Sequence, residues 1–275
     1  MRILDTHLHL VYPERFSYPW LSGAPEINRP WSVEDYWREA TPLGIEAALH
    51  MEVDVAEPDI AAESAFVLGL PGIVGAIANG RPEHEDFEQH LERTAALGGV
   101  KGIRRLLQHQ PPELSTTPTF IDNVRRLARY DMSFDICVKS HELPYAPPLI
   151  RACPDTQFVL DHCGNPKIGD AEWEAWTTRL EAVAELPNVV CKVSGVLANV
   201  TPDWTIDQVR PYVEFVIEKF GWDRVVWGSD HPVVTLFADL TRWVEASREI
   251  VKGASSDEQA KLFHRNAERV YRVAA

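Results

Sequence analysis

The sequence predicts one α/β domain, a closed (β/α)8 barrel occupying residues 1–275. Three observations lead there. Eight short apolar segments of strand character alternate with helical segments, the pattern of a parallel sheet with crossover helices. A chain of 275 residues suits eight such units in one domain. The first strand also lacks the Gly-rich phosphate turn that usually follows it in an open doubly wound sheet. No low-complexity segment, charge block or linker divides the chain.

The first strand is Ile3-Leu4-Asp5-Thr6-His7-Leu8-His9-Leu10, and it alternates strictly. Alternation puts Ile3, Asp5, His7 and His9 on one face and Leu4, Thr6, Leu8 and Leu10 on the other. Two imidazoles then stand side by side at a strand end, which suits a metal ion or a polarised carbonyl. Plain hydrogen-bonded histidines fit the same pattern. The loop 12–31 that follows is rich in proline and carries Phe16, Tyr18 and Trp20. It is too long for a mere connection, and either covers a pocket or packs on the barrel rim.

Ser32 and Asp35 resemble a capping box, opening an amphipathic helix that Pro42 and Gly44 end. Strand two is expected over 46–53, then a helix from Pro58 to about Gly69 with proline in the first turn. Strand three covers 72–79, and the helix 84–97 stops at Gly98-Gly99. Strand four (100–107) precedes a helix over 118–130. Strand five (133–138) precedes a short helix that ends before Pro154. Strand six (157–162) leads to a helix capped by Asp170, whose Trp173, Trp176, Leu180 and Val183 form a core stripe. Strand seven is 188–194, the next helix runs 206–220 to Gly221, and strand eight is 224–229. Two terminal helices split near Gly253 complete the chain.

Composition limits the partners. A formal net charge of -14 and a pI near 5.1 argue against nucleic acid or an anionic membrane, both of which need basic patches. There is no secretory signal pattern and no apolar stretch of spanning length. Cys137, Cys153, Cys163 and Cys191 show no C-x-x-C spacing and read as buried reduced thiols, so the cytoplasm is the default compartment.

Barrel active sites sit at the C-terminal ends of the strands. Those ends present His7 and His9, Arg104 with Gln108, His162, Lys192 with Ser194, and Asp230. Parity puts Gly102, Arg104 and Gln108 on one face of strand four, with Lys101 and Arg105 on the other. Asp230 shares a face with Gly228 and Val226. With His162 facing the mouth, Asp161 is expected to point outward and is set aside as paired or capping. His50 reads as a satisfied core histidine. His141 lies near the rim and ranks below the others.

These phrases carry a resemblance. Asp5-Thr6-His7-Leu8-His9, Tyr18-Pro19-Trp20-Leu21, Val100-Lys101-Gly102-Ile103-Arg104, Phe158-Val159-Leu160-Asp161-His162, the run from Asn188 to Gly195, and Trp227-Gly228-Ser229-Asp230 resemble the amidohydrolase superfamily. More narrowly they resemble its sugar-lactonase and pyrone-dicarboxylate-lactonase branch, of the L-fuconolactonase type, over essentially the whole chain. The resemblance implies a distorted TIM barrel that hydrolyses the cyclic ester of a sugar acid or related lactone, a small-molecule substrate. Oligomeric state is not set by it. Members of this branch often need no divalent metal, although some bind zinc at the strand-one histidines, so the expectation is no required cofactor or a single zinc. The bridging lysine of binuclear relatives is missing: Lys101 is on the wrong face, and strand five offers no histidine ligand. Two departures stand out, His231-Pro232 where a Trp-Pro pair is expected, and Arg105 where a proline is common.

In this reading Asp230 is the general base that later returns its proton to the leaving oxygen. His7, His9 and His162 join it at the reacting centre, while Arg104, Gln108, Lys192, Trp20 and His231 contact substrate. A bound metal would use His7, His9, His162 and Asp230. The rivals are a zinc-dependent decarboxylase of the same superfamily and a non-catalytic barrel that binds a sugar acid.

Overall fold

The computed structural model describes residues 1–169, 172–201 and 203–274. Eight parallel strands follow one another in chain order around a single sheet. They are β1 (Ile3–Leu8), β2 (Ile45–Met51), β3 (Ile73–Asn79), β4 (Val100–Leu106), β5 (Ser133–Cys137), β6 (Gln157–Leu160), β7 (Val189–Val193) and β8 (Val225–Trp227). The ring is completed just past the last strand. Leu8 bridges His231 in parallel register, and the Asp230 N–H donates to the His7 carbonyl at 2.9 Å. The fold is the expected distorted (β/α)8 barrel.

Helices fill the crossovers: α1 (Val33–Ala40), α2 (Ile60–Val67), α3 (Phe87–Ala95), α4 (Pro118–Arg126), α5 (Ala146–Ala152), α6 (Trp173–Ala184), α7 (Ile206–Phe220) and α8 (Leu240–Ile250). Ser32 accepts from the Asp35 N–H, satisfying an orphan donor at the start of α1. Trp176, Leu180 and Val183 of α6 are buried in the outer core, whereas Trp173, expected in the same stripe, is exposed in the first turn with its ring against Tyr212 and Phe215. The Asp170 cap assigned to that helix lies outside the described residues. After α8 the chain runs through α9 (Ser256–Ala260), a π turn (Lys261–Arg265) and α10 (Asn266–Tyr271).

Two apolar layers result. Helix-facing residues such as Ile3, Ile103, Phe134, Phe158 and Trp227 pack with the outer helices. Inside the barrel, Leu4, Leu49, Ile77, Val159, Val190 and Val226 pack with Ala267, Val270 and Tyr271, so α10 plugs the end opposite the site. No helix among the described residues is long and apolar enough to cross a membrane. The four cysteines are free and buried.

Strict alternation in β1 fails. Register shifts fall between Ile3 and Leu4 and between Asp5 and Leu8, marking irregular pairing with β2. Leu4 therefore lies in the inner layer on the same side as His7, whereas Ile3, expected to share the face of His7, joins the outer layer. Asp5 does not sit beneath the imidazoles. Its Oδ2 accepts from the Tyr36 hydroxyl of α1 at 2.6 Å, and Oδ1 accepts from the Ser229 N–H at 2.8 Å. It clips β1 to the end of β8.

Candidate active site

A cavity of about 270 Å³ opens at the C-terminal ends of the strands. Its wall includes His9, Arg104, His162, Asp230, Gln108 and Trp20. His7, although fully buried, touches the same group from below. Asp230 Oδ1 lies 3.6 Å from Nε2 of both His7 and His9. The His7 ring centroid is 4.5 Å from that of His162.

Backbone geometry places two of these side chains. Asp230 and His162 both adopt left-handed conformations, with φ of 59° and 57°. Such values are uncommon for residues with a Cβ and often mark functional turns. At His162 the neighbouring chain leaves room: a Cβ on Gly195 would fall 2.2 Å from His162 Nδ1. Gly195 itself has φ 54° and tolerates it because it lacks a Cβ.

His9 Nδ1 lies 2.9 Å from the Met51 carbonyl, which can only accept. The proton therefore sits on Nδ1, and Nε2 turns a bare lone pair toward Asp230. Burial, reinforced by the Arg104 charge, lowers the His9 pKa to about 3, so the ring is neutral near neutrality. Burial lowers His7 and His162 as well. It raises the Asp230 carboxyl to about 6, against the pull of His162 and Arg104.

Arg104 supplies the cation. Its Nε donates to Glu52 Oε1 at 2.5 Å and its Nη2 to the Glu52 carbonyl at 2.8 Å. Nη1 stands 3.3 Å from His7 Nε2. Glu52 was not anticipated, although a lone acid closing the apolar run of β2 is a visible signal. Its Oε2 also accepts from the Asp54 N–H and from Asn79 Nδ2.

Beneath His7 lies a fully buried ionic group. Lys192 Nζ donates to Asp135 Oδ2 at 2.8 Å, pairs with Asp161 Oδ1 at 2.9 Å and lies 3.3 Å from His7 Nδ1. Tyr271 of α10 reaches Asp135 Oδ2 at 3.4 Å. These carboxylates hold Lys192 protonated; Lys192 in turn keeps Asp161 ionised, while burial raises Asp135.

The outward placement expected for Asp161 is corrected: it is fully buried at the barrel axis. β6 ends at Leu160, and Asp161 continues the inward face of Val159, whereas His162 belongs to the tight left-handed turn that follows. Parity counted back from His162 therefore ran across the strand end. Lys192 lies below the cavity and does not line it. His231 lies off the wall too, with its ring against Trp31 and Tyr36. His50 is buried 3.5 Å from Glu63, and the His141 side chain is exposed. Trp20 and Gln108 border the cavity, and Trp20 Nε1 donates to the Val53 carbonyl at 2.7 Å.

The donors fit one divalent ion. Nε2 of His7 and His9 and Asp230 Oδ1 converge from buried positions, and a second trio, His7, Asp161 and His162, shares His7. Separations near 3.6 Å are about the edge of a tetrahedron with metal–ligand bonds of ~2.0–2.2 Å. The bare Nε2 of His9 suits a ligand. Arg104 Nη1 presses on His7 Nε2, so an ion there would share that nitrogen's surroundings with a permanent cation.

The amidohydrolase family model matches residues 4–273. An uncharacterized protein of Sinorhizobium fredii is 31% identical, covering 98% of this chain and 98% of its own. The L-fucono-1,5-lactonase of Burkholderia ambifaria is 29% identical over 78% of this chain and 74% of its own. Among solved structures, a Burkholderia multivorans amidohydrolase with bound zinc superposes with a TM-score of 0.89 at 21% identity, each chain fully covered (100%).

Proposed function

Because the chain belongs to the amidohydrolase family and is a hydrolytic enzyme, we propose that it is a lactonase, opening the cyclic ester of a sugar acid or a related lactone. The observation that carries this reading is Asp230: a buried carboxylate raised to about 6 beside a bare imidazole nitrogen and a guanidinium. A lactone needs an activated water, donors for the developing oxyanion, and a proton for the departing ring oxygen. Asp230 takes the water's proton as a new C–O bond forms at the carbonyl. His9 Nε2 orients that water by accepting its second hydrogen. Arg104 Nη1 and the His162 ring stabilise the oxyanion, each donor worth ~2.7–4 kcal/mol. As the ring C–O bond breaks, Asp230 returns the proton to the leaving oxygen, and the new acid ionises to a carboxylate.

His7 sits behind this centre and spaces Asp230 from the Lys192 group. A single divalent ion, held by His7, His9 and Asp230, would supply Lewis acidity at the carbonyl or water. The permanent Arg104 charge meets part of that need, and we propose that no added metal is required. The donor set also favours one second reading, a metal-dependent decarboxylase. The buried free cysteines suit a reducing compartment such as the cytoplasm. A pH-indicator assay over sugar lactones and pyrones, run with and without exhaustive chelation, tests both readings. Lactone turnover that survives chelation is expected; loss of all activity on chelation with recovery on zinc would overturn metal independence. Failure to open any lactone would overturn the lactonase.

A further inference from the structure

The charged side chains on the cavity wall are Asp54, Arg104 and Asp230, two carboxylates and one guanidinium. The guanidinium is paired through Nε with Glu52 at 2.5 Å, and its Nη1, 3.8 Å from Asp161, is the donor assigned to the reacting carbonyl. The cavity therefore presents surplus negative charge and, among the described residues, no uncommitted Arg or Lys to a ligand. Asp54 is the unexplained member. It follows β2 at φ 46°, a left-handed conformation that carries a strain cost for a residue with a Cβ. The Glu52 carboxylate fixes that turn by accepting the Asp54 N–H at 2.7 Å. The side chain so presented is poorly partnered: Oδ1 receives only Asn79 Nδ2 at 3.5 Å, and no ion pair reaches it among the described residues. Only half buried, it lines the same cavity as Asp230.

We propose that Asp54 is a specificity-determining residue that accepts hydrogen bonds from the hydroxyls of an uncharged polyhydroxy lactone and, with Asp230, repels lactones carrying a carboxylate. The inference rests on the lactonase reading and narrows its substrate class. A carboxylate acceptor forms stronger hydrogen bonds to hydroxyls than a neutral one. A carboxylate on the ligand would meet two like charges in a site of reduced dielectric, with no free cation to offset them. The same asymmetry favours release, because ring opening turns a neutral substrate into an anion.

The test compares a neutral aldono-1,5-lactone with an aldaric-acid lactone of the same ring that bears a free carboxylate. Wild type should favour the neutral lactone by about 10-fold or more in kcat/KM. Asp54→Asn should shrink that preference at least about 5-fold, raising KM for the neutral lactone and lowering it for the carboxylated one. A wild-type preference for the carboxylated lactone, or a ratio unmoved in folded Asp54→Asn, overturns the proposal. Asp54→Ser, checked by its thermal midpoint, replaces the Asn variant if that one does not fold. If neither lactone is turned over, the lactonase reading fails by itself. Calorimetric binding of the same two compounds to wild type and variant then decides whether Asp54 selects against charge.

Discussion

Asp230 is the proposed general base, and its environment makes a signed prediction. A base must be ionised to accept a proton, so activity should be present above its pKa and fall as pH drops through it. With burial raising that carboxyl to about 6, the acidic limb of kcat/KM for the chelated enzyme should lie near pH 6 rather than near 4. Asp230→Asn keeps the shape and removes the basicity, so kcat should fall by roughly 10²–10⁴ while the thermal midpoint holds. Near-full kcat in the folded variant would move the base elsewhere. Gly195 gives a second test at this scale. An alanine there would place its Cβ 2.2 Å from His162 Nδ1 at an unfavourable φ of 54°. Displacing the imidazole by an ångström should lower kcat by about 10²-fold, and Gly195→Ala with unchanged kinetics would show that His162 is not needed in its observed position.

At the scale of elements, strand order, helix order and most strand ends are readable because period-2 and period-3.6 patterns report which faces are buried. His7, His9, Arg104, His162 and Asp230 all come from those ends, and the structure gathers them within one small volume. The pattern stops where the backbone leaves regular geometry. Irregular pairing in β1 reverses parity between Leu4 and His7, and the left-handed turn after Leu160 does the same between Asp161 and His162. Lys192 shows the other limit: alternation reveals that it points inward, but not how deep it stops. Asp135 becomes visible only once its cationic partner is placed. The loop 12–31 is legible in both of its senses. Phe16, Tyr18, Leu21 and Trp31 form a buried cluster with Val53 and Val55, while Trp20 borders the cavity. Trp20→Ala should therefore raise KM for the best lactone by about 10-fold, with a smaller change in kcat; an unmoved KM would leave the loop a rim-packing element.

For the whole molecule, the decisive feature is the ionic group that joins catalytic floor to barrel core. Removing its one ammonium leaves Asp135 buried without a cation and Asp161 with only the Arg104 guanidinium at 3.8 Å. Lys192→Met should cost about 3–5 kcal/mol of stability, read from denaturant unfolding. A loss under 1 kcal/mol would show the carboxylates to be relieved by protonation or water. Tyr271 brings α10 into the same group from the opposite end of the barrel. That contact has a consequence for biosynthesis. Within the barrel the imidazoles of β1 are synthesised before the rest of the site, yet the floor that seats them is closed by α10, which follows all eight strands. Nascent chains should thus carry the β1 histidine pair while the rest of the barrel is made without a formed site around it, and activity should switch on abruptly once α10 docks.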